Sequence, residues 1–375
     1  MLTWWWRRHW QNAPTRGVAR GRDARAVDAE PRGLAALAHD PELTSGRRTL
    51  GEFPQASESD NYFARLDWNI ASNNQFTLRH NYVDAFRDVV SNRNFNQFRF
   101  QTSTYQFMDE TNSTVAQLNT AFSSNLFNEA RVNYTTISDQ RASLADFPAV
   151  EIGGAPRNAD VILGSEQFSQ ANALDQDILE IADDLTWIRG SHTLTVGTQN
   201  QMFEFANLFL APAFGYYFFP TVEDFEAGTP TRYEVTFSTD PNDPLRATKF
   251  GAAQYGLYVN DQWRATPNVT LTLGLRADKP SYADTPSHNP IVANAIGWNT
   301  DQVGGEGVIV SPRFGFNWQM GGEQQLRGGI GVFLGRAPYV WVSNVYANTG
   351  IEQLTLVCNQ PNCTTSFVPD PFAQP

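Results

Sequence analysis

Acid–base or metal chemistry in this chain would have to come from five histidines, His9, His39, His80, His192 and His288, and from its acidic residues. None of the histidines stands at an HExxH or comparable ligand spacing, so no metal site is expected. His80 falls on the apolar side of an alternating segment and His192 in a turn, and both read as structural. The acid pairs Asp109-Glu110, Asp183-Asp184 and Glu223-Asp224 could serve as acid and base. Neighbours on a strand point to opposite faces, however, so Asp183 and Asp184 do not converge. Asp240-Pro241-Asn242-Asp243 lacks the spacing of a calcium loop and reads as a plain turn. No P-loop, no GxGxxG and no GxSxG with a partner occurs, and Arg327-Gly328-Gly329-Ile330-Gly331 fits close strand packing or curvature. No catalytic constellation emerges; the chain is expected to be no enzyme and to carry no cofactor.

The two cysteines, Cys358 and Cys363, lie in CNQPNC. They read either as unrelated thiols or as a small disulfide loop, which would imply an oxidising compartment.

A different chemistry lies in charged and amide residues that alternate with apolar ones. Arg65, Asp67, Asn69, Arg79, Glu129, Arg131, Asn133, Arg276, Asp278 and Arg313 fall on the polar side of segments whose other side is apolar. Facing a lumen, they could meet a solute or a plug; the plainer reading is a hydrogen-bonded ladder with no ligand. The aromatic stretch 205–220, FANLFLAPAFGYYFFP, reads as a loop. Exposed, it would be an apolar patch fit for a ligand or partner; it could equally pack on another loop.

Strands must hold these residues. In Asn61 to Val83, Tyr62, Ala64, Leu66, Trp68 and Ile70 alternate with Phe63, Arg65, Asp67 and Asn69. After Ser72-Asn73-Asn74, Phe76, Leu78, His80 and Tyr82 alternate with Thr77, Arg79 and Asn81. Each arm is about the length a tilted strand needs to cross a bilayer. The unit recurs at Ser113–Thr120 with Leu126–Ile137, Asp177–Ile188 with His192–Phe203, Gln254–Trp263 with Val269–Asp278, and Arg313–Gln319 with Gln325–Leu334. The result is about ten strands in five hairpins with short turns, joined by long links at about 85–111, 138–176, 205–250 and 279–309. Short turns on one side and long loops on the other favour a membrane barrel over a soluble sandwich. Tyr82, Tyr134, Trp187, Trp263, Trp318 and Tyr339 stand near strand ends, where a bilayer interface would place them.

Composition permits this. Aromatics make up 13% of 375 residues, mean hydropathy is −0.40, and no run of apolar residues is long enough for a membrane helix. Residues 1–48 carry nine Arg against five acids, about +4, leaving about −16 for the rest. The acidic body argues against nucleic acid as a partner. Residues 1–54 form an Arg-rich irregular segment, read as a basic arm, as disorder, or as a start foreign to the domain.

DNYFARLDWNIASNNQFTLRHNYVDA, NEARVNY, DDLTWIRGSHTLTVGTQNQ, YGLYVNDQWRATPNVTLTLGLRAD, SPRFGFNWQM and LRGGIGVFLGRAP resemble the barrel of Oar-like TonB-dependent outer-membrane receptors. Tyr258-Val259-Asn260-Asp261-Gln262-Trp263-Arg264 followed by LTLGLR is similar to a common strand pair of such barrels. The resemblance spans about residues 55 to 345 and implies an all-β fold, a transmembrane antiparallel β-barrel of about 22 strands when whole. About ten are counted here, with no recognisable plug or coupling box, so the chain is read as an internal piece of such a receptor: 1–54 the N-terminal segment, 55–345 the barrel portion, 346–375 a loop segment. It implies substrate uptake across the bacterial outer membrane. Its partners would be outer-membrane lipid and, in a full-length receptor, a plug domain and a TonB-type energy-coupling protein. A passive porin or adhesin barrel and a soluble carbohydrate-binding module are the rival expectations.

Overall fold

The computed structural model describes residues 55–90, 96–155 and 159–375; the expectation for residues 1–54 lies outside them. The described strands are, in chain order, β1 (Ser57–Ala71), β2 (Asn74–Val90), β3 (Gln97–Arg99), β4 (Thr104–Ser123), β5 (Leu126–Ser143), β6 (Ala149–Ala155), β7 (Ala159–Leu163) and β8 (Asn172–Arg189). They continue as β9 (His192–Phe209), β10 (Tyr216–Phe219), β11 (Arg232–Ser238), β12 (Thr248–Thr266), β13 (Val269–Tyr282), β14 (Ile309–Gly321), β15 (Gln324–Gly331) and β16 (Gln353–Asn359). Short helices α1 (Val222–Glu226), α2 (Pro290–Ile296) and α3 (Tyr339–Ala347) lie among the links.

The large sheet has ten strands in the order β1-β2-β4-β5-β8-β9-β12-β13-β14-β15, and each neighbouring pair runs antiparallel. It is open: β1 and β15 are its two edges. Five hairpins close through Ser72-Asn73, Ser124-Asn125, Gly190-Ser191, Pro267-Asn268 and Gly322-Glu323. Gly190 (φ 62°) and Gly322 (φ 57°) occupy the left-handed region that such tight turns demand and that a side chain resists. The five turns share one end of the sheet and the links share the other.

Alternation held wherever the sequence displayed it. Tyr62 pairs with Tyr82, Ala64 with His80, Leu66 with Leu78 and Trp68 with Phe76, so one face collects the apolar members. That face is open: Trp68 is 58% exposed, Leu257 67% and Leu275 49%. An apolar surface this large, interrupted at Asp183 and Asp261, is unsuited to water and suited to lipid.

Most strands run further than expected, though β15 stops at Gly331 rather than Leu334. β4 is 20 residues long and β12 is 19, so the long links shrink to 91–103, 144–171, 210–247 and 283–308. The cause is physical. Beyond the apolar band both faces of a strand meet polar surroundings, and the period-2 signal disappears although pairing continues.

The links are not plain loops. With the segment after α3, the first three build a second, six-stranded sheet in the order β16-β11-β10-β6-β7-β3. Its pairings are mixed, with β10 parallel to β6 and β3 parallel to β7. Val150, Ile152, Tyr217, Phe219, Phe225, Tyr233 and Val235 form its core. The 205–220 stretch is therefore corrected. Its first residues extend β9, its last form β10, and Leu210, Tyr217 and Phe219 are buried rather than displayed. Burial pushes the Tyr217 hydroxyl well above the ordinary tyrosine range and that of Tyr233 up to about 12. The Cys358–Cys363 disulfide, with Cα atoms 5.1 Å apart, ties the end of β16 to the turn that follows.

Candidate functional site: the polar face of the large sheet

All ten charged and amide candidates share one face of the large sheet. One row of paired residues runs Arg65, Arg79, Val115, Asn133, Glu180, Gln201 and Gln254 across β1 to β12. The next runs Asp67, Thr77, Gln117, Arg131, Ala182, Gln199, Gly256 and Asp278. A third runs Asn69, Gln75, Asn119, Glu129, Asp184, Gly197, Tyr258, Arg276 and Ser311. Arg313 pairs with Gly274 on the same side. Residues directly opposite on paired strands point the same way, so register alone gathers them.

Within the face, opposite charges are matched. The Arg65 guanidinium lies 2.8 Å from Asp67, which also accepts from the Thr77 hydroxyl at 2.7 Å. Arg131 sits 3.8 Å from both Glu129 and Glu180, and Gln201 donates to Glu180 at 2.5 Å. The densest part is around Arg276. Its Nε and Nη2 atoms hold Asp278 at 2.8 to 3.0 Å, Nη1 reaches Gln199 at 3.4 Å, and the guanidinium lies 5.4 Å from the centre of the Tyr258 ring. Gln254 donates to Asp278, and Tyr258 donates to Asp184 at 2.5 Å. Asp278 is 1% exposed, which a carboxylate tolerates only with such a complement of donors. Two glycines make room: a Cβ at Gly197 would fall on the Tyr258 ring and one at Gly256 on the Arg276 guanidinium. Glu180, Asp184, Tyr258, Gln199, Gln201 and Gln254 were missed as candidates. Their signal was available, since each stands an even number of positions from a polar residue of its own strand.

The sheet bends around this face. One cavity of about 830 Å³ at the turn end is lined by Asn69 of β1, Gln75 of β2, Asn119 of β4, Glu129 of β5, Asp184 of β8 and Thr195 of β9. Strands that far apart in sheet order can line a single cavity only if the sheet curls with the polar side inward.

The link end of the same face is aromatic. Phe203, Phe205, Phe250 and Ala252 continue the inward positions of β9 and β12, and α3 lies on them through Tyr339 and Tyr346. Phe250 stacks on Tyr346 with ring centres 4.6 Å apart, and Phe203 meets Tyr339 at 4.7 Å. Asn207 donates to the Ser343 hydroxyl at 2.6 Å. Tyr339 is thus corrected from an interface aromatic to a buried helical residue. Burial pushes the Tyr346 hydroxyl up to about 12.

The remaining chemistry-bearing residues are dispersed. His80 lies on the apolar face, its Nδ1 2.9 Å from the Thr114 hydroxyl. His192 is not in a turn but opens β9, bonded to Asp261 and stacked on Trp263. Asp183 and Asp184 point to opposite faces, Asp183 accepting from Asn128. Asp240 closes its turn by accepting from the Asn242 N–H and from Arg246.

Comparison with known proteins agrees with this architecture. Residues 22–375 match the family described as outer membrane beta barrel domain. No curated protein matches the chain. Among solved structures, the outer-membrane transporter YddB from Escherichia coli is similar at 15% identity and a TM-score of 0.47, with 72% of this chain and 30% of that one covered. The copper transporter OprC follows at 13% identity and a TM-score of 0.46, with 74% and 36% covered. The ferric-catecholate import receptor Fiu from E. coli K12, in its closed form, shows 13% identity and a TM-score of 0.45, with 73% and 43% covered. The chain spans less than half the length of these three proteins.

Proposed function

The chain belongs to the outer membrane beta barrel domain family, and from that premise we propose that it forms part of the wall of a TonB-dependent-type transporter taking a solute up across the bacterial outer membrane. In this reading the apolar face of the large sheet meets lipid and the polar face lines the lumen. One observation carries it: a curled ten-stranded sheet puts matched charges and amides around an inner cavity and leaves its apolar side chains outward. Arg65, Asp67, Asn69, Arg79, Glu129, Arg131, Asn133, Arg276, Asp278 and Arg313 are then lumen-facing residues. Residues 55–345 act as the barrel portion, and the partners this reading calls for are outer-membrane lipid, a plug domain and a TonB-type coupling protein. Passage of a solute along a polar wall needs no bond-making chemistry.

Single cysteines at Asn69, Asn119 and Arg131, compared with cysteines at Leu257 and Leu273, test the assignment in outer-membrane fractions. The expected result is labelling of the first group by a water-soluble maleimide and protection of the second by lipid. Equal labelling of both groups would sink the reading. Uptake in cells with and without a membrane potential then separates energy-coupled transport from passive passage.

A further inference from the structure

At the turn end of the outward face, a guanidinium and an imidazole stand between two indoles. Arg189, the last residue of β8, is paired in register with His192, the first of β9, and His192 is paired with Trp263 of β12. The Arg189 guanidinium lies 5.2 Å from the centre of the Trp187 ring. The His192 ring stacks on Trp263 at 5.5 Å with 7° between planes. Asp261 fixes the imidazole by bonding its Nδ1 at 2.8 Å. Among the described residues, no carboxylate lies within ion-pairing distance of Arg189, in a chain whose net charge is −12. Apolar residues stand in the neighbouring rows: Leu126 and Leu194 flank Trp187 before Asp261 follows Leu194, and Leu271 and Phe316 continue the row of Trp263.

We propose that Arg189, held on the Trp187 indole beside the His192–Trp263 stack, binds the phosphodiester of a phospholipid headgroup whose acyl chains lie along the apolar rows above it. The proposal rests on the reading that this face meets lipid. An unpaired guanidinium at the rim of an apolar band has one abundant anion within reach, the headgroup phosphate, and a guanidinium binds it in forked geometry. Indole rings suit the same depth, because their apolar body and polar edge match the interface. Stacking on Trp187 limits the motion of the guanidinium, so less side-chain freedom is lost when the phosphate arrives.

The test is lipid retention by the full chain purified in mild detergent from outer membranes, read by native mass spectrometry. The wild type is expected to keep one tightly held phospholipid per chain, and the variant Arg189→Gln to lose it. Added phosphatidylglycerol or phosphatidylethanolamine should refill the wild-type site; a diacylglycerol without phosphate should not. Inorganic phosphate should fail to displace the lipid, since it lacks the chains. Equal retention by the variant, equal binding of diacylglycerol, or displacement by inorganic phosphate would each overturn the proposal. Heat-modifiable gel mobility of both proteins serves as the second measurement. A wild type that never inserts into membrane overturns the lipid-facing reading itself, whereas insertion of both proteins with unchanged retention overturns the headgroup site alone.

Discussion

Arg276 and Asp278 show how much an inward-facing residue depends on its surroundings. Removing one member of a buried pair strands the other, at a cost of about 3–5 kcal/mol. Asp278→Ala is therefore expected to lower sharply the temperature at which the folded gel band converts to the unfolded one. Arg65→Ala, at an ion pair whose side chains are 46% and 30% exposed, is expected to leave that temperature unchanged within error. Gly197 makes a second contrast. Gly197→Val must push the Tyr258 ring off Asp184 and is expected to destabilise, while Gly304→Val, where an added Cβ meets nothing, should be neutral in the same melt.

At the scale of elements, each strand of the large sheet has two faces with opposite tolerances. Leu257→Arg places a cation in the apolar band and should cost about 2–4 kcal/mol near the bilayer midplane. Gln75→Arg, exposed on the other face, should not; urea unfolding in detergent or vesicles reads the difference. The alternation that separates these faces was legible in Tyr62 to Ile70 and in Val269 to Ala277, because there one side meets lipid and the other does not. The link-end extensions of β4 and β12 were illegible because that contrast had ended. The second sheet was hidden for another reason. Its strands are short and pair across the chain, Arg232 with Asn359 and Tyr216 with Ala149, so no local period announces them. Tyr339 was misplaced because an aromatic near a strand end looks alike whether it meets lipid or a helix. The second sheet also sets a pH response. Its Tyr233 hydroxyl titrates at about 12, against about 10 for a free tyrosine. Between those values the folded state holds a proton that the unfolded state has released, so stability falls as pH rises through the window. Tyrosinate absorbance is expected to rise late and together with loss of aromatic circular dichroism.

For the whole molecule, the division of labour runs along the strands as well as across them. The turn end of the inner face is open and polar, and the link end is occupied by α3 on an aromatic bed. Tyr346→Ala together with Tyr339→Ala should loosen that end. The expected outcome is faster hydrogen exchange in α3 with the β9–β12 ladder still protected. Unchanged exchange would mean that the helix is held by its flanking segments rather than by the aromatic bed.

The order of the large sheet is the order of the chain: each strand of the sheet is bonded to the one laid down before it and the one laid down after, and the edge strands β1 and β15 to one neighbour. Assembly can therefore proceed as a zipper. Each new hairpin needs only a template already in place, and the longest loop that must close between successive strands is a single link. A chain cut back to the end of β13, or of β9, should still form the preceding part of the sheet at an undiminished rate. A closure that joined distant strands would make the final residues a condition for the first.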